Sequence, residues 1–453
     1  MAGIILSADI GTSSLKAAFI DLDGKLIAFN REVYEQSSQG SAGAWELAFA
    51  RSLEKLSLQA PQCVPDALCI SGNGPTLAPL TNGGRALPPL YWHDDRKLPP
   101  AEEGHAPSFF LPRAAWLKKN APAEYEKTQV FLSPHEWLSR RLGADAFAVL
   151  PSASYEPYFW DDEQCRLFGL DRKKFPPFIK MGSVMGKVSA GAAVRFGPAS
   201  GNCLKSGTPI IAGGTDFITA LIGTGTFRPG DVCDRAGSSE GINVCAASPV
   251  EGKGVRVLPH AKEGLWNIGT LIPSSGRLFE QYRISTGQET RPYPEHLAEL
   301  IPCSNNIELF RALDPFIARC PLPAVHCSLS LGRAVLCAIG FALRDAIRTL
   351  GDNGFPVREM KVSGGQAKNP SWNQLKADII GITLLIPEIP DGELAGNAVL
   401  SASALGAVST LEEAAARMIR VQDVYKPRPE AASFWEGRYG LYRESEKERD
   451  EGF

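Results

Sequence analysis

The chain opens on a short apolar run, Gly3 to Ala8, then a polar turn of Asp9, Ile10, Gly11, Thr12, Ser13 and Ser14, then a second apolar run from Leu15 to Asp21. This pattern predicts strand, turn, strand. Asp23 and Gly24 give a further hairpin signal before Lys25 to Asn30, so a three-stranded antiparallel meander is expected. A similar unit recurs later: Asp231 to Arg235, then Gly237, Ser238, Ser239, Glu240 and Gly241, then Ile242 to Ala246. We read the recurrence as an internal repeat. Further strands are expected at Ala67 to Ile70, Pro209 to Ala212, Met360 to Val362 and Thr383 to Ile386. A helix is predicted over Arg333 to Leu350, where Val335, Ile339, Leu343, Ala346 and Leu350 recur at helical spacing and Gly351 supplies the stop. Another is predicted over Ser371 to Ile380, with Asn369 as cap, Pro370 at its first position, and Trp372, Leu375 and Ile379 facing inward. Meanders followed by alternating helices and strands in both halves imply two copies of an α/β domain. We place them at 1–229 and 230–453, with the break near Arg228 to Gly230.

Length agrees with this division, because 453 residues exceed the usual extent of one hydrophobic core. Two domains imply a cleft. A net charge of −3 and only one long charged stretch, the mixed tail from Arg443 to Glu451, give nothing to attract nucleic acid. Ten cysteines spread singly between Cys63 and Cys337, in no metal or redox spacing, read as reduced core residues of a cytoplasmic protein. The apolar run before Asp9 is too short for a signal peptide, and no stretch approaches the roughly 18 apolar residues of a membrane span.

Two hairpins rich in glycine and hydroxyl groups, one per half, suit a polyphosphate, because exposed backbone N–H groups and short hydroxyls bond its oxygens. Each also reads as a plain hairpin turn. Asp9 bears on the choice: a carboxylate directly before such a turn would repel phosphate unless a cation intervened, whereas Mg²⁺ is held by one or two carboxylates, waters and phosphates. A third turn, Ser363 to Gln366, lies between a strand and a helix, a context for nucleotide binding by backbone amides. The usual mononucleotide loop is absent: Gly182, Gly186 and Lys187 miss its spacing, and Val188 stands where a hydroxyl is needed.

Asp216 follows the apolar run Pro209 to Ala212 and the glycines 213 and 214. Phosphorylating an alcohol needs a carboxylate within reach of that hydroxyl, and Asp216 is the candidate base. A helix N-cap is its other reading. For a sugar, Tyr91, Trp92, His93, Asp94, Asp95 and Arg96 offer polar groups and an aromatic face within six residues, though Asp94 and Arg96 also read as a surface ion pair. His135, Glu136 and Trp137 read as the polar and apolar faces of one helix.

Taken in order, these motifs resemble the FGGY carbohydrate kinases, above all the xylulokinase-like branch. The agreement runs through Asp9 to Ser14, Ile70 to Pro75, Trp92 to Arg96, Trp116 to Pro122, Gly207 to Asp216, Arg228 to Asp231, Gly237 to Gly241, Ser363 to Asn369 and Trp372 to Gly381. The resemblance implies two ribonuclease-H-like domains of the actin and hexokinase type around a cleft, and ATP-dependent phosphorylation of a small sugar or polyol, most naturally a ketose such as a pentulose. It implies Asp216 as the catalytic base and Asp9, with Thr12 and Ser13, on the magnesium and phosphate side. Ser238 and Ser239 match the second phosphate turn, and Gly364, Gly365 and Asn369 the nucleotide loop. Asn73, Trp92, Asp94 and Arg96 match substrate-side positions. ATP and Mg²⁺ are the cofactors implied, and the oligomeric state is left open, a homodimer included.

The chain also departs from the family. Asn73, Gly74 and Pro75 stand where xylulokinases carry Gln, Met and His, which puts xylulose itself in doubt. Val149 and Pro151 replace an Asp and a Ser. Glu240 takes the place of a small residue in the second phosphate turn, where it would either repel phosphate or point outward, and the section from Arg283 to Leu331 is short. The last two motivate a second reading, a catalytically weak sugar- or nucleotide-binding protein with the kinase fold. A third reading, an actin- or chaperone-like ATPase, would leave Trp92 to Arg96 without a role.

Overall fold

The computed structural model of the chain describes residues 3–35, 41–82, 84–92, 94, 96–98, 108–197, 204–301 and 328–450. Contacts divide the chain into two compact units. One comprises Met1–Phe227, Pro259–Gly264 and Gly392–Ile419, and the other Arg228–Leu258, Leu265–Asp391 and Arg420–Phe453. The contiguous blocks 1–229 and 230–453 therefore need correction, because helices Gly392–Ala404 and Leu411–Met418 return to the first unit. Glycines explain the return. A Cβ on Gly396 would lie 2.0 Å from the carbonyl oxygen of Thr219, and one on Gly223 would lie 1.9 Å from that of Gly392. Helix Asp216–Gly223 and helix Gly392–Ala404 thus cross at a separation that only glycine permits.

The first unit holds a six-stranded sheet in the order Leu26–Val33, Ser14–Asp21, Ile4–Ile10, Ala67–Gly72, Pro209–Thr215, Val184–Lys187. The first three strands form the antiparallel meander. Ile4–Ile10, Ala67–Gly72 and Pro209–Thr215 then run parallel. Covered on both faces, such strands need continuous apolar runs rather than alternation, and Ile5 to Ile10 and Ala67 to Gly72 are buried throughout. The near-miss phosphate loop at Gly182 to Lys187 ends as the antiparallel edge strand.

In the second unit seven strands run Arg256–Pro259, Trp266–Ile272, Glu240–Ala246, Val232–Ala236, Glu359–Ser363, Thr383–Pro387, Val421–Tyr425. Trp266–Ile272, Glu240–Ala246 and Val232–Ala236 are antiparallel, and Val232–Ala236, Glu359–Ser363 and Thr383–Pro387 are parallel. The internal repeat is thus a shared layout of antiparallel meander and parallel strands.

The long helix spans Ser328–Asp352 and passes through Gly351. Its stop comes instead at Gly354, whose φ of +90° suits glycine and lets the Phe355 N–H donate to the Leu350 carbonyl at 2.9 Å. The next helix, Pro370–Ile380, begins as expected, with Asn369 Oδ1 accepting from the Trp372 N–H at 3.0 Å. In the short section from Arg283 to Leu331, helix Tyr293–Leu300 is described, while 302–327 lie outside the described residues. Among the described residues six cysteines are buried, and no helix is long and apolar enough to cross a membrane.

Candidate active site

In the first unit three parallel strands end along one edge of the sheet, where open α/β sheets place their ligands. Ile10 pairs with Gly72 and Gly72 with Thr215, so the turn Gly11 to Ser13, residue Asn73 and residue Asp216 follow directly on these three strand ends. The turn is tight, with the Gly11 N–H donating to the Ser14 carbonyl at 3.0 Å. Thr12 is half-buried and Ser13 exposed at its tip.

Asp9 is buried one register step behind the turn, and its Oδ1 accepts from the Ser71 hydroxyl at 2.7 Å. Burial pushes its carboxyl up to about 8, and the carboxylates of Glu393 and Asp216 add to this against the pull of Lys16. Lys16 lies 3.6 Å from Glu393. Negative charge is therefore concentrated around Asp9 beyond what one lysine offsets. Among the described residues, no group of three His, Cys, Asp or Glu side chains could hold a metal ion by itself. A cation here would have to draw most of its ligands from phosphate oxygens and water, the habit of Mg²⁺. The raised carboxyl also sets a pH dependence. Asp9 keeps its proton in the native state up to about pH 8 and loses it in the unfolded chain near 3.8, so stability falls as pH rises through that window. Asp9→Asn should cancel this: thermal melts without nucleotide should give parent and variant similar midpoints near pH 4, and the variant the higher one at pH 8.

Asp216 is the first residue of helix Asp216–Gly223, with Thr215 at the cap position, so its carboxylate does not serve as the N-cap. Its Oδ1 accepts from the Phe217 N–H at 2.7 Å. Asn73 is fully buried, and neither polar atom of its amide has a hydrogen-bond partner among the described residues. Trp92 is 39% exposed. Asp94 and Arg96 form the ion pair that their spacing allowed; Asp94 also accepts from the Tyr91 N–H at 2.8 Å, and the Arg96 guanidinium stacks 4.6 Å from the Trp116 ring. They brace the segment that carries Trp92. His93 and Asp95 lie outside the described residues.

The helix Pro134–Leu142 corrects another expectation: His135, Glu136 and Trp137 are all buried rather than split between two faces. Glu136 caps its own helix, accepting from the Ser133 N–H at 2.7 Å, and accepts from the Val149 N–H at 2.8 Å. Desolvation holds His135 down at about 3, so it is neutral.

The second unit repeats the arrangement. Arg235 pairs with Ser363, which sets the turn Gly237 to Ser239 beside the loop that starts at Gly364. Gly364 has φ +99°, and a Cβ on it would lie 2.5 Å from the Ala236 carbonyl oxygen, so only glycine fits the loop against the strand. Gly365 and Ser238 are exposed, Ser239 is half-buried, and Asn369 spends its side-chain oxygen on capping. Glu240 does not point outward. It is fully buried, paired with the Lys376 ammonium, which also lies 3.4 Å from Asp234. Burial alone would lower the Lys376 ammonium, but Asp234 and Glu240 beside it more than reverse that. Burial, with the neighbouring Glu240, pushes the Asp234 carboxyl well above the usual carboxylate range. The objection that Glu240 raised against phosphate binding is thereby removed.

Sequence reasoning missed Glu393, Asn397, Ser71 and Lys376. Asn397 is fully buried and donates to the Ala8 carbonyl at 2.8 Å and to Ser71 at 3.1 Å, tying the strand of Asp9 to helix Gly392–Ala404.

Residues 101–223 match the N-terminal domain of the FGGY family of carbohydrate kinases, and residues 322–405 match its C-terminal domain. Among curated relatives, the xylulose kinase of Bacillus subtilis (strain 168) is 23% identical over 97% of this chain and 96% of its own length. Among solved structures, the ligand-bound xylulose kinase of Lactobacillus acidophilus superposes with a TM-score of 0.77 at 18% identity, covering 98% of this chain and 97% of that one. Glycerol kinase of Plasmodium falciparum, solved with ADP, gives 0.75 at 16% identity, covering 99% and 98%. The fold is the two-domain α/β fold of the actin and hexokinase type.

Proposed function

We propose, from the premise that this chain belongs to the FGGY family of carbohydrate kinases and is a sugar kinase, that it transfers the terminal phosphoryl group of ATP to a hydroxyl of a small ketose, a pentulose or a close relative. Asp216 accepts the proton of that hydroxyl as the phosphorus is attacked. Thr12 and Ser13 are assigned to phosphate in the first unit, and in the second unit Ser238 and Ser239 are assigned to phosphate and Gly364, Gly365 and Asn369 to the loop for the rest of a nucleotide. Asp9 lies on the magnesium side; bound Mg²⁺ would neutralise phosphate charge. Asn73 and Trp92 meet the acceptor, with Asp94 and Arg96 holding the Trp92 segment in place.

The observation that carries this reading is the common edge of the first sheet, where Asp216, Asn73 and the Thr12–Ser13 turn follow on paired strand ends, with the Asp9 carboxyl behind them. A buried amide with two unsatisfied polar atoms is costly unless something bonds it, and a polyhydroxylated acceptor supplies donors and acceptors together. Because Asn73, Gly74 and Pro75 differ from the xylulokinase loop, the acceptor need not be xylulose. Incubation with MgATP and single pentuloses, hexuloses, polyols and sugar acids, followed by mass spectrometry, tests the reading. A phosphate monoester of one ketose class is expected, and no phosphorylated product from any of the panel would contradict it.

A further inference from the structure

The second unit holds its phosphate turn from behind. The Gln366 side chain donates from Nε2 to the Gly237 carbonyl at 3.1 Å and reaches Ser275 Oγ at 3.2 Å and Glu240 Oε2 at 3.4 Å. Its orientation is not free, because Gln366 Oε1 accepts from the indole N–H of Trp372 at 2.9 Å, which turns the NH₂ group toward the turn. The next carbonyl, that of Ser238, accepts from the Arg277 N–H at 3.0 Å. In a planar trans peptide the C=O and the following N–H point in opposite directions. Drawing the carbonyls of Gly237 and Ser238 inward therefore turns the N–H groups of Ser238 and Ser239 outward, on a turn where Gly237 and Ser238 are exposed. Two adjacent outward N–H groups form a concavity for an anion.

We propose that Gln366 is a positioning residue for nucleotide phosphate: it aims the backbone amides of Ser238 and Ser239 by holding the Gly237 carbonyl, with the Lys376–Glu240 pair as the fixed floor beneath it. The inference rests on the kinase reading above and adds to it a residue that touches no substrate. Its effect is confined to the phosphates. Glutamine is suited to the task, since it donates to a carbonyl and to a carboxylate at once while accepting from Trp372. Glutamate in its place could do neither of the first two and would face Glu240 with like charge. The Lys376 ammonium neutralises Glu240, so that Glu240 serves as an anchor for the amide.

Calorimetric titration of the full chain with ATP and, separately, with adenosine tests this for the parent, Gln366→Glu and Gln366→Met. ATP affinity is expected to drop about tenfold or more in both variants, the cost of losing a charge-assisted hydrogen bond. Adenosine affinity should stay within about twofold, since only the phosphates are concerned, and Gln366→Met, which lacks the like charge, should lose less than Gln366→Glu. Equal losses for ATP and adenosine, no loss of ATP affinity, or failure of both variants to fold would overturn the proposal, the last by making Gln366 a structural prop. A parent chain that binds neither ATP nor adenosine would overturn the kinase reading itself, and the inference with it.

Discussion

Asp216→Asn is expected to lower the rate of phosphoryl transfer by about 10²- to 10⁴-fold, the range a positioned general base supplies. Asparagine keeps the shape of the side chain and can still accept from the Phe217 N–H, but it cannot take a proton. The effect should therefore fall on kcat, with the KM for ATP little changed, since the groups assigned to the phosphates lie elsewhere. Thermal stability should not fall, because Asp216 is one of the two carboxylates that crowd Asp9, and removing its charge relieves that crowding. Steady-state kinetics on the purified variant checks the claim. Turnover within about tenfold of the parent would remove Asp216 from the role of base.

The second large effect is on folding. Lys376→Met should destabilise the protein by about 3–5 kcal/mol, because it strands the Glu240 carboxylate in the core of the second unit. Lys376 is fully buried between Glu240 and Asp234, and no solvent reaches any of the three. Methionine matches the length of the lost side chain, so the cost is charge rather than volume. The double variant Lys376→Met, Glu240→Gln should regain most of the loss, since it replaces a stranded ion by a neutral amide. Urea denaturation of the three proteins decides the matter: equal destabilisation of single and double variants would show that packing, and not charge, sets the cost.

Most of what the sequence made legible depends on short-range pattern. Apolar runs that end in glycine and hydroxyl residues located the turns after Asp9 and after Ala236, the Gly364 loop and the strand before Asp216, because a strand end and its turn are written in neighbouring residues. What stayed illegible depends on distant partners. Glu240 looked like a carboxylate in a phosphate turn, and its burial is set by Lys376, 136 residues further on. Helix Gly392–Ala404 escaped notice because ten of its thirteen residues are buried, so it lacks the apolar and solvated faces that mark a surface helix. With it went Glu393, which acts on Asp9, and Asn397, which reaches Ala8 across 389 positions. The same helix explains why a single break near Arg228 does not divide the chain correctly: the glycine crossing of Gly223 and Gly396 brings late sequence back to the first unit.

The division also clarifies how the sites are built. Each sheet presents one glycine- and hydroxyl-rich turn after the first of its parallel strands, and each turn has its own support. In the first unit Ser71 and Asn397 secure the strand of Asp9. In the second, Gln366 and Lys376 secure the turn and its flank. Glu240, the departure in the second of these turns, is thus partnered by Lys376.

The most direct test of sugar phosphorylation is ADP release by the parent chain with MgATP, measured with and without the acceptor identified by the product screen. The account predicts release that depends on the sugar and that Asp216→Asn nearly abolishes. Release at the same rate without any sugar, or undiminished release by Asp216→Asn, would contradict it.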